Sequence, residues 1–414
     1  MIPSEASSPE RVNWWLGLLV TLALSSVTVY MFPSGGFQYV DLIIVPIIAI
    51  AFLFFNSELE DRVRRHVLFL LFFVIWASIV NIGFFLYYQY INILYKLINM
   101  IYIFFILYAF SVAFAQILKK QALSYIYIGL VLSIIAIFTI SGNYEWTGAR
   151  NSYSFNNPNQ LGLYAIILYA TVLLLMRYKQ EFNINNYSYF IIDIGLIIVS
   201  QFLLWQAISR SALAASLFLH FILIKNIFSK RLFVPIFLAL TVCFSYILVV
   251  NPTYIQERIA ARNPEKLAPG FVQRRVESCI LLPLEHVHGI QILIGTSGTY
   301  VINAMRGENS ALLGAKRSYL PEVHNMFANV LATYGLIGLG FFLWWILKSI
   351  LECRIIKDGL WVWAAILTYG FGGVVYRFRP FWILVALMMA LINIKIQSKI
   401  IMDPSTKANE GVEA

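Results

Sequence analysis

A succession of long apolar runs, separated by polar connections, is the feature that most constrains how this chain can fold. Twelve runs have roughly the length that a helix needs to cross a bilayer. They fall at residues 13–32, 39–56, 66–88, 93–117, 124–141, 161–176, 188–206, 211–228, 231–250, 325–347, 359–376 and 380–396. The 414 residues are 60% hydrophobic and only 12% charged, which excludes an ordinary soluble domain. The sequence therefore predicts an all-α polytopic membrane protein with about 12 transmembrane helices.

Basic residues are distributed unevenly between the two sets of connections. If the N-terminus is cytoplasmic, the inside connections and the two ends hold seventeen lysines and arginines, whereas the short outside connections hold five. Those five are Lys96, Arg150, Arg210, Arg377 and Arg379. Because basic residues near transmembrane ends stay on the cytoplasmic side, we expect both termini to be cytoplasmic. The net charge of +10 is then a topology signal that also attracts anionic lipid, and it does not indicate a nucleic-acid partner.

One outside connection is much longer than the others. Residues 251–323 form a 73-residue segment with eight basic residues and six glutamates, and segments this long are usually functional. Residues 272–295 in its middle have the pattern of a short amphipathic helix followed by an apolar segment, which could lie on the bilayer surface. We therefore divide the chain into helices one to nine (1–250), a loop domain (251–323), helices ten to twelve (324–398) and a cytoplasmic tail (399–414).

A histidine precedes the tenth apolar run. His324 is the last residue before this run and Asn325 is the first residue in it, so we expect both in the first turn of a helix at the membrane surface. A histidine there could accept a proton at neutral pH. Gly335 and Gly338 follow at a spacing that lets another helix backbone approach closely. The alternative is purely structural, with a helix cap followed by packing glycines.

Other residues on the same predicted surface suit a phosphorylated, sugar-bearing substrate. Guanidinium groups such as those of Arg210, Arg274 and Arg275 can form bidentate hydrogen bonds with phosphate oxygens. Asn157 and Asn159 carry amides that donate to and accept from sugar hydroxyls. Alternatives remain for both groups: Asn and Pro also make turns and helix caps, and Arg210 could snorkel to the lipid headgroups.

Metal chemistry has little support in this outer set of residues. It contains no clustered pair of acids and no metal-binding spacing. His286 and His288 are two residues apart but have no further ligands nearby in the sequence. We therefore expect no metal site.

Several of these motifs resemble those of the O-antigen ligase/polymerase superfamily of bacterial inner-membrane proteins. Gly335 follows His324-Asn325 after nine residues and Gly338 comes three positions later, a pattern similar to the signature of that family. The number of apolar runs and the long loop before the histidine also fit.

Three further segments carry the resemblance. Ser209-Arg210-Ser211 is similar to the family's Ser-Arg element, and the segment from Phe155 to Gly162 is similar to the Asn-Pro-Asn segment of its polymerases. Gln273-Arg274-Arg275 resembles its second arginine element, although the doublet leaves open which arginine corresponds, and Cys279 replaces the aromatic residue that usually follows.

The resemblance implies a GT-C-type glycosyltransferase that needs no metal or other cofactor and acts at the periplasmic face of the inner membrane. Its donor would be a glycan on undecaprenyl pyrophosphate. Its acceptor would be another lipid-linked repeat unit in a polymerase, or the lipid A core in a ligase, and the Asn-Pro-Asn segment favours the polymerase. His324 and Asn325 would be catalytic, and Arg210, Arg274 or Arg275, Asn157 and Asn159 would bind substrate. A chain-length regulator would be an additional partner.

A transporter of lipid-linked glycans is the alternative from another functional class. Transporters usually place charges near the membrane midplane and contain repeated halves. Here Asp41 and Asp193 lie near the ends of apolar runs, and residues 251–323 have no counterpart in the first half of the chain. These features favour the transferase.

Overall fold

The computed structural model describes residues 14–29, 38–55, 58–89, 91–140, 153–155, 157–184, 186–207, 209–227, 287–297 and 325–402. Every regular element in these ranges is an α-helix. The helices are α1 (Trp14–Ser26), α2 (Tyr39–Phe54), α3 (Asp61–Tyr88), α4 (Ile91–Lys119), α5 (Ser124–Thr139), α6 (Pro158–Glu181), α7 (Tyr187–Ala207), α8 (Arg210–Ile227), the single turn α9 (Gln291–Ile294), α10 (Met326–Glu352), α11 (Gly359–Gly370) and α12 (Arg379–Met402). The ninth apolar run, 231–250, lies outside the described residues, and so do Arg274, Arg275 and His324.

Eleven of the twelve predicted runs coincide with helices, so a helical membrane fold is confirmed for the described part of the chain. Six helices, α3, α4, α6, α7, α10 and α12, are long and apolar enough to cross a membrane, and α1, α2, α5 and α11 are apolar but shorter. The predicted division between the third and fourth runs is also right, because Gln89 leaves the helix with a φ of 52° before α4 begins. The total of twelve spans and the GT-C type stay predictions.

Several predicted runs differ from the helices at one or both ends, and two of these differences are the most informative. The run 359–376 is helical only to Gly370, and residues 371–378 form a non-helical connection that we call the outer connector. Glycines at 370, 372 and 373 explain the early end of α11, since glycine is a poor helix former. The tenth helix begins at Met326, so Asn325 is its N-cap rather than part of its first turn.

Helices α6 and α12 form the centre of the bundle, because most of their residues are buried. Helix α12 packs along α4, and α6 packs against both α7 and α8. The outward faces of α3 and α7 are apolar, with Ile79 57% and Ile198 62% exposed. Large exposed apolar faces are typical of surfaces that contact lipid or a partner. The surface composition therefore agrees with membrane embedding.

Charged residues gather at the two ends of the bundle. Three ion pairs close one end, with N–O distances of 3.3, 2.8 and 3.1 Å: Lys119–Glu58, Arg62–Glu352 and Lys395–Glu181. Their basic members belong to the set predicted to be cytoplasmic, so we call this the inner end. The opposite end, which holds the outer connector, is the outer end. There the guanidinium of Arg379 forms two hydrogen bonds of 2.6 Å with the carboxylate of Asp41 and so ties α12 to α2.

Candidate functional site

The outer connector touches two of the segments that the sequence indicated as functional. The side-chain amide of Asn325 donates a hydrogen bond to the carbonyl oxygen of Phe371 at 3.2 Å. The neighbouring Gly372 lies against the Ser-Arg element, since a methyl group added to it would be 2.7 Å from Cβ of Ser211. The start of α10 and the start of α8 are therefore both in contact with this short connection.

The Asn-rich segment reaches the same place through α11. The hydroxyl of Tyr369, at the end of α11, donates to the backbone carbonyl of Asn159 at 2.7 Å. Asn157 is the N-cap of α6, and its side-chain oxygen accepts from the N–H of Gln160 at 2.9 Å. Asn157 thus has the capping role that the sequence left open as an alternative. Asn159 lies in the first turn of α6 and is half-buried.

Close packing of α6 on α8 positions Arg210. A methyl group added to Gly162 would lie 3.1 Å from Cβ of Ser209 and 3.0 Å from Cβ of Ala212. The absence of a side chain at Gly162 therefore lets the start of α8 approach α6. Ser209 is buried, whereas the side chain of Arg210, the first residue of α8, is exposed.

Asn325 also has a helix-capping role. Its side-chain oxygen accepts from the backbone N–H groups of Phe327 at 2.9 Å and Ala328 at 3.0 Å. These bonds satisfy two donors that the first turn of a helix otherwise leaves without partners. Because the amide nitrogen of Asn325 contacts Phe371, the cap of α10 and the outer connector are fixed together.

A buried polar group lies one helical turn below Asn325. Asn329 is fully buried, and its side-chain oxygen accepts from the hydroxyl of Tyr376 at 2.7 Å and from Nη2 of Arg377 at 3.1 Å. The guanidinium carbon of Arg377 lies 5.6 Å from the centre of the Tyr376 ring, within the range of a cation–π contact. The outer connector therefore places an arginine, Arg377, beside the first turns of α10.

Four helix N-termini lie at the outer end, near the outer connector and the end of α11. They belong to α6, α8, α10 and α12, which begin at Pro158, Arg210, Met326 and Arg379. Each N-terminus carries the positive end of a helix dipole, which favours anions, although Asn157 and Asn325 already cap α6 and α10. Together with two arginine side chains, this arrangement favours an anionic ligand at the outer end.

The described part of the predicted loop domain packs against a break in α10. We call residues 287–297 the α9 segment. Gly335 has a φ of 69° and interrupts the helix. The N–H of Ser297 donates to the carbonyl oxygen of Thr333 at 2.8 Å, and the hydroxyl of Thr296 donates to the carbonyl oxygen of Ala332 at 2.7 Å. These contacts pair the carbonyl groups that the break removes from the helix, as burial in a membrane protein requires.

Two sequence expectations bear on this region. Gly335 admits the close approach of another helix backbone, as predicted, since a methyl group there would lie 2.2 Å from the carbonyl oxygen of Leu293 in the short helix α9. Gly338 lies against the side chain of Trp76, with 3.1 Å between an added methyl group and the ring. The end of the 272–295 segment, whose sequence pattern indicates that it could lie on the bilayer surface, packs on α10 from residue 287 onwards, with Ile290 and Ile292 exposed. A position at the bilayer surface stays a prediction.

The remaining histidines and possible metal ligands lie elsewhere. Among the described residues, no group of three histidine, cysteine, aspartate or glutamate side chains could hold a metal ion. His288 is exposed on the α9 segment, and His286 lies outside the described residues. His66 is buried in α3 with Nε2 2.9 Å from the hydroxyl oxygen of Ser349. His220 lies within α8, and its Nδ1 is 2.7 Å from the carbonyl oxygen of Ser216.

Sequence reasoning missed three residues of this site: Asn329, Tyr369 and Arg377. Arg377 carried a usable signal, because it lies in a short outside connection between apolar segments, as Arg210 does. Asn329 and Tyr369 fall inside apolar runs, where a single polar side chain gives no sign of its partners. No protein-family model matches the chain, and no curated protein matches it either.

Proposed function

We propose that the protein is a membrane-embedded glycosyltransferase that polymerises oligosaccharide repeat units carried on undecaprenyl pyrophosphate. The reaction takes place at the periplasmic face of a bacterial inner membrane, which corresponds to the outer end of the bundle. The ligase reaction, with the lipid A core as acceptor, is the alternative within the same chemistry. A transporter of lipid-linked glycans is the lesser alternative.

One observation carries the proposal. Three segments far apart in the sequence meet at the outer connector and the adjoining end of α11, through Asn159, Ser211 and Asn325. These are the segments whose motifs resemble those of the O-antigen ligase/polymerase superfamily. If the likeness of these three segments to that superfamily were accidental, there would be no reason for the segments to lie together in the fold.

The electrostatics of the outer end suit the donor. A pyrophosphate group needs positive charge, and the four helix N-termini with Arg210 supply it. The apolar faces of the surrounding helices let a lipid tail remain in the bilayer while its headgroup reaches the outer end. In this proposal Arg210 and one of Arg274 and Arg275 bind the pyrophosphate.

The chemistry then needs a base and a leaving group. The acceptor hydroxyl oxygen attacks the anomeric carbon of the donor sugar, and the bond from that carbon to the pyrophosphate oxygen breaks. His324 takes the hydroxyl proton, and undecaprenyl pyrophosphate leaves with the bonding electrons. Asn325 fixes the start of α10, directly after His324 in the sequence, and Asn157 and Asn159 face the glycan.

The test is a transfer assay with purified protein in two arms. The first arm contains lipid-linked repeat units alone, and the second also contains lipid A core. We expect longer lipid-linked glycans in the first arm. Product only in the second arm would replace the polymerase by the ligase, and no product in either arm would contradict the transferase and favour transport.

A further inference from the structure

A cluster of aromatic side chains lies between α3 and α10, on the outside of the bundle. The ring centre of Trp344 is 4.9 Å from that of Phe69 and 5.7 Å from that of Phe72. Phe72 is in turn 6.2 Å from Phe341. Although these rings contact one another, Phe72 and Trp344 are 48% and 38% exposed. The four side chains therefore form a surface, which we call the aromatic face.

The aromatic face lies next to the charged residues of the inner end. Helix α3 runs away from that end and α10 runs towards it, since Arg62 at the start of α3 pairs with Glu352 at the end of α10. The next contact between the two helices joins Nε2 of His66 to the hydroxyl oxygen of Ser349. Phe69 follows His66 by three residues, so the aromatic face begins about one helical turn beyond this contact.

Two basic side chains lie at the inner edge of the aromatic face. Nζ of Lys348 on α10 is 5.9 Å from the centre of the Phe69 ring, within the range of a cation–π contact. Arg65 is exposed and lies four residues before Phe69 on α3, so the two side chains share one face of the helix. Each of the two helices therefore places one cation at this edge.

Neither cation is neutralised within the described part of the chain. The acids one turn away on the same helices, Asp61 and Glu352, are paired with other arginines at distances of 3.4 and 2.8 Å. No carboxylate of the described residues lies within ion-pair distance of Arg65 or Lys348. The surface therefore combines a positively charged edge with an exposed aromatic area.

An anionic phospholipid matches this combination in charge and in polarity. Its phosphate oxygens can accept hydrogen bonds from a guanidinium and an ammonium group. Its acyl chains can lie along the aromatic face and the neighbouring Leu68 and Leu347, which are 42% and 55% exposed. Basic side chains between membrane helices are a common way to recognise anionic headgroups. A soluble anion would use the two cations but would leave the apolar surface uncovered.

We propose that this surface binds one anionic phospholipid, with Arg65 and Lys348 on its headgroup and the aromatic face along its acyl chains. The site lies at the opposite end of the bundle from the outer connector, so the inference does not depend on the proposed transferase activity. A lipid bound there contacts α3 and α10 at once and therefore stabilises their packing.

The experiment measures lipid binding to the full-length protein in detergent by native mass spectrometry. The probes are phosphatidylglycerol, which is anionic, and phosphatidylcholine with the same acyl chains, which has no net charge. Glycerol phosphate, which has no acyl chains, tests whether a phosphate alone is sufficient. Thermal unfolding of each protein, with and without phosphatidylglycerol, shows whether it is folded and whether the lipid stabilises it.

Three double variants separate the site from the net charge of the protein. Arg65→Gln/Lys348→Gln removes both cations, and Arg65→Lys/Lys348→Arg keeps them. Lys119→Gln/Lys395→Gln is the matched control, because it removes the same charge from the inner end at two lysines that are already paired with glutamates. The single variant Arg65→Gln, at an exposed side chain, provides the same test if the first double variant does not fold.

We expect the wild type to prefer phosphatidylglycerol to phosphatidylcholine. Loss of one cation should weaken binding of phosphatidylglycerol by about fivefold, and loss of both by about 30-fold. The charge-keeping variant and the matched control should bind like the wild type, and phosphatidylglycerol should raise their unfolding temperatures.

Three results would overturn the site: equal binding of the two phospholipids by the wild type, wild-type affinity after removal of the cations, or an equal loss of affinity in the matched control. Binding of glycerol phosphate as tight as that of phosphatidylglycerol would overturn the role of the aromatic face.

Discussion

The side-chain amide of Asn325 joins the N-terminus of α10 to the carbonyl oxygen of Phe371, 3.2 Å away, while its oxygen caps the first turn of the helix. One side chain therefore fixes both the start of α10 and the beginning of the outer connector. Since the connector also carries Arg377, the position of that arginine depends in part on this contact.

Substitution of Asn325 should separate its two hydrogen-bonding roles. Asn325→Ala removes the cap and should lower the free energy of unfolding by about 1–2 kcal/mol. Asn325→Asp keeps an oxygen that can accept from Phe327 and Ala328 and places a negative charge at the favourable end of the helix. The aspartate variant should therefore be close to the wild type in thermal unfolding, although it loses the bond to Phe371. Equal destabilisation by both substitutions would contradict the capping role.

Gly335 and Gly340 form a matched pair of glycines on α10. Gly335→Ala forces a non-glycine residue to a φ of 69° and places a methyl group 2.2 Å from the carbonyl oxygen of Leu293. Strain and overpacking should together cost about 2–5 kcal/mol. A methyl group at Gly340 meets no atom within 4 Å, so Gly340→Ala should leave stability unchanged or raise it by up to about 1 kcal/mol. Thermal unfolding of the two purified variants compares them, and similar midpoints would mean that the break in α10 is not needed.

The helices were predictable from the sequence because lipid imposes a length and a composition on every span. The sequence did not predict where these helices are interrupted. The residues Phe371, Val374, Val375 and Tyr376 read as part of an apolar run, yet they form a connector whose conformation depends on glycines and on contacts with α8 and α10. The break at Gly335 was also not predictable from the local sequence. Glycine is common inside membrane helices, and only the close approach of the Leu293 carbonyl oxygen distinguishes Gly335 from other helical glycines. Local pattern therefore predicted which segments carry the site but not the connection that joins them.

The orientation of the chain can be tested with a reporter fused at Pro264, in the long loop. The seventeen-to-five distribution of basic residues predicts that residues 251–323 are periplasmic and both termini cytoplasmic. A reporter that is active only in the periplasm should be active at Pro264 and inactive at the C-terminus. The opposite result would reverse the sidedness of the outer end.

Arg210 should be needed for its geometry as well as its charge. Arg210→Lys keeps a positive charge at the start of α8 but loses the bidentate fork, so transfer should be strongly impaired while the protein still accumulates in the membrane. We expect a loss of transition-state stabilisation of about 2–4 kcal/mol. Arg62→Lys is the control, since Arg62 is paired with Glu352 at the inner end, 2.8 Å away. Near-normal product from Arg210→Lys and from the Arg274→Ala/Arg275→Ala double variant would leave the phosphate-binding role without support.

His324 should be the base that takes the proton of the acceptor hydroxyl. It directly precedes Asn325, the N-cap of α10, and the positive end of that helix disfavours a charged imidazole. A neutral imidazole can accept a proton at pH 7, so His324→Ala should lower the transfer rate by about 10²–10⁴-fold. Donor binding should survive in this variant, because the arginines rather than the histidine bind the pyrophosphate.

His324→Asn and His324→Gln keep hydrogen bonding but cannot take a proton, and they should be as inactive as the alanine variant. His288→Gln, at an exposed histidine of the α9 segment, is the matched control and should transfer normally. Transfer and donor binding measured side by side separate the two roles, and wild-type rates in His324→Asn or His324→Gln would remove His324 from the mechanism.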